Sequence, residues 1–207
     1  MSKDIRYYFG SNQSIDDKSP SLTENKSNKN TIKLEAFTDG SAINNGKKNV
    51  LSGIGVFFPD TSLNLVNKAV NCNKFIQKNP KYGIKPTNNV AELLAILFAI
   101  EELLPIAYSM TPKPSLVIYS DSEYSINCIT KWSDGWKKAG WKKKGNAEIK
   151  NLEIIKPIYE YYKKNKIRFV HVNSHKAEPY PKGSESWQLW YGNDMADKLA
   201  VQGAKSF

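Results

Sequence analysis

The run Ser115-Leu116-Val117-Ile118-Tyr119-Ser120 carries no charge, glycine or proline, and it reads as a strand buried on both faces. Such a strand exists only where other elements cover it, so its neighbours in the chain decide the architecture. Upstream, Ile32, Leu34, Ala36 and Thr38 alternate with Lys33, Glu35 and Phe37 at the period of a strand. Asn44-Asn45-Gly46 then supplies a turn, and Leu51 to Phe58 returns as a second strand. A further turn at Asp60 to Ser62 leads into a third strand, about Leu63 to Val70, so the opening predicts an antiparallel meander. Val90, Leu93, Leu94, Leu97 and Ile100 fall on one face of a helix for which Thr87, Asn88 and Asn89 are suitable caps. After the buried strand come a helix from Asp121 to about Thr130, another over Ala147 to Lys163, a fifth strand over Ile167 to Val172 and a closing helix over Asn193 to Gly203. This order predicts an α/β fold, a mixed sheet with helices on both faces.

A chain of 207 residues with 40% hydrophobic content can fill one such core. The domain is expected to run from Thr31 to Phe207. Ser11 to Asn30 is so poor in apolar residues that residues 1–30 are expected to be a disordered leader. A formal net charge of +10 predicts attraction to polyanions, nucleic acid first. No apolar run approaches the roughly 20 residues needed to span a bilayer, and MSKDIRYYFG lacks a signal-peptide core, so a soluble intracellular protein is expected, monomeric by default. Cys72 and Cys128 have no metal-ligand spacing and read as inert thiols.

Four acids stand out against this frame. Asp39-Gly40 would ordinarily mark a hairpin turn, but Asn44-Asn45-Gly46 already closes the hairpin and leaves Asp39 inside the first strand. Glu92 falls in the expected first turn of its helix, where a helix dipole would explain it. Asp121 ends a strand and opens a helix, which suits an N-cap and equally a ligand site at the edge of an open sheet. Asp197 lies on the last helix with Asp194 one turn earlier, as on any solvated face. Each explanation serves one residue and none serves the set. Converging carboxylates repel one another unless a divalent cation lies between them, and in a basic protein the expected substrate is then a phosphodiester.

The chain resembles the type 1 branch of the ribonuclease H family in five stretches. These are Phe37-Thr38-Asp39-Gly40-Ser41, Thr87-Asn88-Asn89-Val90-Ala91-Glu92, Ile118-Tyr119-Ser120-Asp121-Ser122, Val170-His171-Val172-Asn173-Ser174-His175 and Gly192 to Ala200. The resemblance implies a five-stranded sheet in the order 3-2-1-4-5, and it implies Asp39, Glu92, Asp121 and Asp197, rather than Asp194, as metal-binding carboxylates. It further implies an endonuclease that cuts the RNA strand of RNA/DNA hybrids with two Mg²⁺ ions, which Mn²⁺ could replace, leaving 5′-phosphate and 3′-hydroxyl ends. His175 would shuttle protons or assist product departure.

Between Lys131 and Lys144, Trp132, Trp136 and Trp141 are interleaved with Lys137, Lys138, Lys142, Lys143 and Lys144, a pattern that suits phosphate attraction and ring packing. The segment resembles the family's basic protrusion, which holds the DNA strand. The same resemblance places Lys85, Thr87 and Asn151 at a DNA phosphate pocket, Tyr124 beside a DNA sugar, Asn88 and Asn89 at base edges, and Gly40, Ala42 and Asn44 along the RNA strand. Lys85 stands where an arginine is common, which keeps the charge and removes the bidentate fork. Insertions are expected around Asn71 to Ile84 and at Lys176 to Tyr191, the latter as a lid or an added contact. The family's separate N-terminal hybrid-binding domain has no counterpart in the leader, so high processivity is not expected. A catalytically silent hybrid-binding module and a nuclease of DNA junctions are the competing classes. The complete carboxylate set speaks against the first, and the protrusion with Asn88 and Asn89 against the second.

Overall fold

The computed structural model describes residues 32–45, 49–82, 85–173 and 180–206. The expected leader, Gly46 of the first turn and His175 lie outside the described residues. Five strands, β1 Lys33–Ile43, β2 Leu51–Phe57, β3 Lys68–Asn71, β4 Ser115–Ser120 and β5 Ile167–His171, form one sheet in the order β3-β2-β1-β4-β5. The first three pair antiparallel, while β4 pairs parallel with both β1 and β5. The helices are α1 Cys72–Lys78, α2 Asn88–Ser109, α3 Glu123–Asn127, α4 Ser133–Lys138, α5 Leu152–Lys164 and α6 Glu185–Lys205. No helix among the described residues is long and apolar enough to cross a membrane.

The pleat of β4 divides its side chains between two cores, as its uncharged sequence requires. Leu116 and Ile118 join Leu34, Ile54, the α2 residues Leu93 and Leu97, and Ile154, Ile155 and Ile158 of α5. Val117 and Tyr119 face the other way, onto Phe37, Phe57, Val172 and Ala196 of α6. Glycines set how closely helices approach each face. A Cβ at Gly40 would run into the backbone of Ala91 and Glu92, and Cβ atoms at Gly53 and Gly55 would run into the α6 backbone at Ala196, Ala200 and Gly203.

Several boundaries differ from expectation. The third strand starts at Lys68 rather than Leu63, because Asp60 caps a short 3₁₀ turn at Thr61–Leu63 and Asn64 turns left-handed after it. The Asn67 side chain then accepts from the Phe58 backbone N–H at 2.9 Å, taking the place of a ladder bond. The closing helix begins at Glu185 rather than Asn193. Ser184 caps it by accepting from Trp187 N at 3.1 Å, and Trp187 is buried under the new turns. The second half of the Lys176 to Tyr191 insertion is thus helix. The insertion expected around Asn71 to Ile84 contains α1, capped by Asn71. The helix expected to end near Thr130 continues instead through a π turn at Cys128–Trp132 into α4, where the Ser133 hydroxyl donates to the Cys128 carbonyl at 2.6 Å. The helix expected from Ala147 starts at Leu152, after a short turn at Lys144–Asn146 and a left-handed Asn151.

Because the obstacle at Gly40 is backbone rather than a mobile side chain, Gly40→Ala should destabilise the protein by about 1–3 kcal/mol. Urea unfolding at constant m-value is the measurement, and an unchanged midpoint would show that α2 can retreat freely.

Candidate active site

The sheet register places two of the acids side by side. Thr38 of β1 pairs with Ser120 of β4, so Asp39 and Asp121 are the next residues on adjacent parallel strands. Here β4 ends while β1 runs on beside β2. This opening at the carboxyl end of a parallel pair is where open α/β sheets take ligands. Gly40 then admits α2, which brings Glu92 against Asp39. The carboxylates of Asp39, Glu92 and Asp121 each offer an oxygen within 4.8 Å of the others.

The capping chemistry leaves these carboxylates uncommitted. Thr87 caps α2, accepting from Val90 N at 3.3 Å, and Glu92 lies beyond the first turn rather than in it. Ser122, not Asp121, caps α3, accepting from Ser125 N at 3.3 Å. The Asp121 backbone carbonyl is 3.1 Å from His171 Nε2, which has to donate to it. Asp197 is exposed at the cleft rim, outside the three-acid cluster but near enough for its charge to act on Asp39. Asp194 is bound by Lys198 at 2.5 Å, which explains why the two acids of α6 are not equivalent.

Asp39 is 6% exposed and Glu92 4%. Burial, reinforced by the charges of Asp121 and Asp197, pushes the Asp39 carboxyl up to about 7. Burial, followed by Asp39 and Asp121, raises Glu92 well above the usual carboxylate range. The Gly40 backbone N–H opposes both shifts. Glu92 Oε2 is buried with no hydrogen-bond partner among the described residues. An orphaned acceptor inside a cluster of hard oxygen donors fits a divalent cation, which would supply the positive charge the cluster lacks. The acids line a cleft of about 360 Å³ together with Gly40, Ser41, Ala42, Asn88, Asn173, Trp190, Asn193 and Asp194.

The sequence also aligns with known proteins, and residues 31–205 match the RNase H family. The chain belongs to that family. Ribonuclease H of Clostridium botulinum (strain Hall) is 30% identical over 177 residues, covering 84% of this chain and 97% of that protein. Ribonuclease H of Schizosaccharomyces pombe is 31% identical over 168 residues, covering 81% of this chain and 52% of that protein, so the chain spans about half the length of this relative. A solved structure of the foamy viral protease-reverse transcriptase in complex with RNA/DNA hybrid shares the fold, with a TM-score of 0.61 at 20% identity over 96% of this chain and 23% of that one. The expected assignment to the type 1 branch agrees with these relatives and with ribonuclease H1 of Rattus norvegicus, 30% identical over 170 residues, covering 82% of this chain and 49% of that protein.

Within this RNase H frame the remaining expected contacts divide into two groups. Gly40, Ala42 and Asn88 line the acid cleft, while Asn44 occupies the exposed turn after β1 in a left-handed conformation. Lys85 and Asn89 are exposed beside the α2 cap Thr87. Tyr124 lies within hydrogen-bonding reach of Asn151 and meets Trp132 edge-on at 6.1 Å, and Trp132 meets Trp136 at 5.8 Å. Lys137 is engaged by Glu160 at 3.0 Å, whereas Lys138, Lys142, Lys143 and Lys144 are exposed with no ion pair among the described residues. His175 lies outside the described residues, so the structure does not place it. Sequence reasoning missed Trp190, Asn173 and Asn193 in the cleft. Trp190 precedes Asn193 by three residues and Asp197 by seven, a helical spacing that would have revealed it had the helix been started at Ser184.

The acid cluster makes stability depend on pH. In the folded metal-free protein Asp39 keeps its proton up to about 7, while the unfolded chain releases it near 3.8. The unfolded state therefore binds fewer protons across that window, and stability falls as pH rises through it. In EDTA at pH 8, Asp39→Asn should stabilise the protein by about 2–4 kcal/mol, with the gain shrinking towards pH 4. Urea unfolding at both pH values tests this, and a destabilised variant at pH 8 would contradict it.

Proposed function

We propose that this chain is an endonuclease that hydrolyses the RNA strand of RNA/DNA hybrids, with its catalytic domain spanning residues 31–207. The observation that carries the reading is the convergence of Asp39, Glu92 and Asp121 within 4.8 Å, with Asp197 at the rim, inside an RNase H fold. The hybrid seen with the foamy viral protein of the same fold supports the choice of duplex.

Asp39, Glu92, Asp121 and Asp197 would hold two Mg²⁺ ions, with Mn²⁺ as a possible substitute given its similar oxygen preference. When bound, the metal supplies Lewis acidity at the phosphate and lowers the pKa of the attacking water. Asp39 lies within β1 and Asp121 just past the end of the adjacent β4, whose last ladder pair is Thr38 with Ser120, so the backbone ladder holds their spacing and the site stays preorganised. The oxygen of water attacks phosphorus and gives up a proton, the bond from phosphorus to the 3′ oxygen breaks, and that oxygen takes up a proton in turn. A 5′-phosphate and a 3′-hydroxyl result. Proton handling by His175 belongs to this proposal on its sequence position.

Strand choice would come from two sides of the cleft. Gly40, Ala42 and Asn44 would border the RNA strand, whose 2′-hydroxyls distinguish it from DNA, and Asn88 and Asn89 would meet base edges. Lys85, Thr87, Tyr124 and Asn151 would receive the DNA strand, with Trp132, Trp136, Lys137 and Lys138 extending the surface. Lys137 would act mainly by pinning α4 to α5 through Glu160.

Labelled hybrid, duplex DNA and duplex RNA, each incubated with Mg²⁺ or EDTA, test the reading. Cleavage of the RNA strand of the hybrid alone, and only with metal, is expected. Cutting of duplex DNA in preference to the hybrid would overturn it. Asp39→Asn and Asp121→Asn should each lower turnover by about 10³-fold or more while hybrid binding persists. Replacing Lys142, Lys143 and Lys144 together with alanine should reduce the salt slope of hybrid binding by about 2–3 units. An unchanged slope would assign these lysines to solubility.

A further inference from the structure

Of the three clustered acids, Asp39 is held inside β1, opposite Gly55 of β2, and Glu92 is held inside α2. Asp121 belongs to no strand or helix. It stands one residue past the last ladder pair on both sides, Thr38 with Ser120 towards β1 and Ser120 with His171 towards β5. The next element, α3, begins only at Glu123. A carboxylate carried on an unpaired stretch of backbone would be poorly aimed, and a metal ligand needs its orientation fixed from outside.

Two hydrogen bonds from the β5 side stand in for the missing ladder. The Val172 N–H donates to the Ser120 carbonyl at 3.1 Å, and His171 Nε2 donates to the Asp121 carbonyl at 3.1 Å. These two carbonyls belong to the peptide planes immediately before and after the Asp121 Cα. Because each plane is rigid, fixing both fixes φ and ψ of Asp121, and with them the direction in which its side chain leaves the backbone. The Glu123 N–H also donates to the Asp121 carbonyl at 3.1 Å, and the oxygen has a lone pair for each donor. That bond closes a turn within one segment and moves with it, whereas the bond from His171 ties the segment to the sheet. The His171 side chain is exposed, so little packing is lost with it and its main contribution here is the donor.

We infer that His171 is a positioning residue, which by holding the Asp121 main chain keeps the Asp121 carboxylate in the cluster with Asp39 and Glu92. The inference rests on the metal-dependent site proposed above. Calorimetric titration of the protein with Mn²⁺, in the absence of nucleic acid, should show binding about tenfold weaker in His171→Phe. The Mg²⁺ concentration that half-activates hybrid cleavage should rise by a similar factor, while KM for the hybrid at saturating Mg²⁺ stays within about twofold of wild type. In His171→Gln the amide nitrogen lies as many bonds from Cα as Nε2 does, and this variant should recover both losses. His171→Asn, whose nitrogen falls one bond short, should be as impaired as His171→Phe and carries the test if that variant fails to fold. The Mn²⁺ titration does not involve the hybrid, so a wild type that binds Mn²⁺ but leaves the hybrid uncut would count against the proposed substrate and not against His171. Wild-type Mn²⁺ affinity in both His171→Phe and His171→Asn, or a His171→Gln variant as impaired as they are, would overturn the role and leave His171 as a surface residue. A wild type that binds no Mn²⁺ would overturn it together with the metal site.

Discussion

The site depends on one backbone contact, the approach of α2 to β1 at Gly40. With no Cβ in the way, the helix settles against the strand and brings Glu92 beside Asp39. Two buried carboxylates at this distance repel each other, and the fold withstands it because the surrounding contacts are apolar and extensive. Leu93, Leu94, Leu97 and Ile100 are all fully buried in the same core that holds Glu92 in place. Burial of such side chains contributes roughly 1.5–3 kcal/mol each, enough in aggregate to offset an electrostatic penalty of a few kcal/mol. The opposite face repeats the device, as Gly53 and Gly55 let α6 lie on β2 and carry Asp197 to the rim. Two of the four acids are thus positioned by β1 and its contact with α2, the third by the end of β4 paired beside β1, and the fourth by a helix seated on β2.

The parts of this arrangement legible in the sequence are those with local causes. Alternation identified β1, the turn after it identified β2, an uncharged run identified β4, and the spacing of Val90, Leu93, Leu94 and Leu97 identified α2. What escaped depended on side chains that take over backbone hydrogen bonds or on distant packing. Asn67 replaces a ladder bond and shortens β3, and Ser122 rather than Asp121 caps α3. Ser184 was a readable cap, but it counts as a helix start only once Tyr191, with Trp187 stacked on it, has an apolar face to cover, and that face is formed by Phe37 and Phe57 far away in the chain. Trp190 was missed for the same reason, since a residue in a loop has no predictable face and a residue in a helix does. Gly40 was left inside a strand by the turn that follows it, but what approaches it, the backbone of Ala91 and Glu92, belongs to tertiary structure.

The basic protrusion shows a comparable division of labour among residues of one type. Lys137 bonds Glu160, Lys163 bonds Asp134, and Lys156 lies 5.3 Å over the Trp141 ring. Tyr159 gathers these contacts by donating to Asp134 at 2.7 Å and packing edge-on to Trp141 at 5.5 Å. These partly exposed pairs add little stability individually. Together they give the segment after α4 a defined place on α5, so the outer lysines project from a supported surface. A dense run of lysines would otherwise repel itself into an extended chain. The pairs Lys137 with Glu160 and Asp134 with Lys163 tie α4 to α5, which lets the remaining lysines of the run present charge at a fixed location.

Charge links the two halves of the molecule in opposite senses. The net charge of +10 draws a polyanion in from a distance, but its phosphate must finally approach a cluster of acids already short of counter-charge. Near contact the local term dominates, because attraction between exposed charges is screened beyond about 8–10 Å while groups in a buried cleft are screened far less. A cation among the acids reverses the local term, and a phosphate beside the cation in turn strengthens its hold. Thermodynamic linkage makes this mutual, so each ligand raises the affinity of the cleft for the other by the same factor. Under the proposed function the surface lysines would govern whether a nucleic acid arrives, and the buried acids whether its phosphate is admitted to the position where Asp39, Glu92 and Asp121 converge.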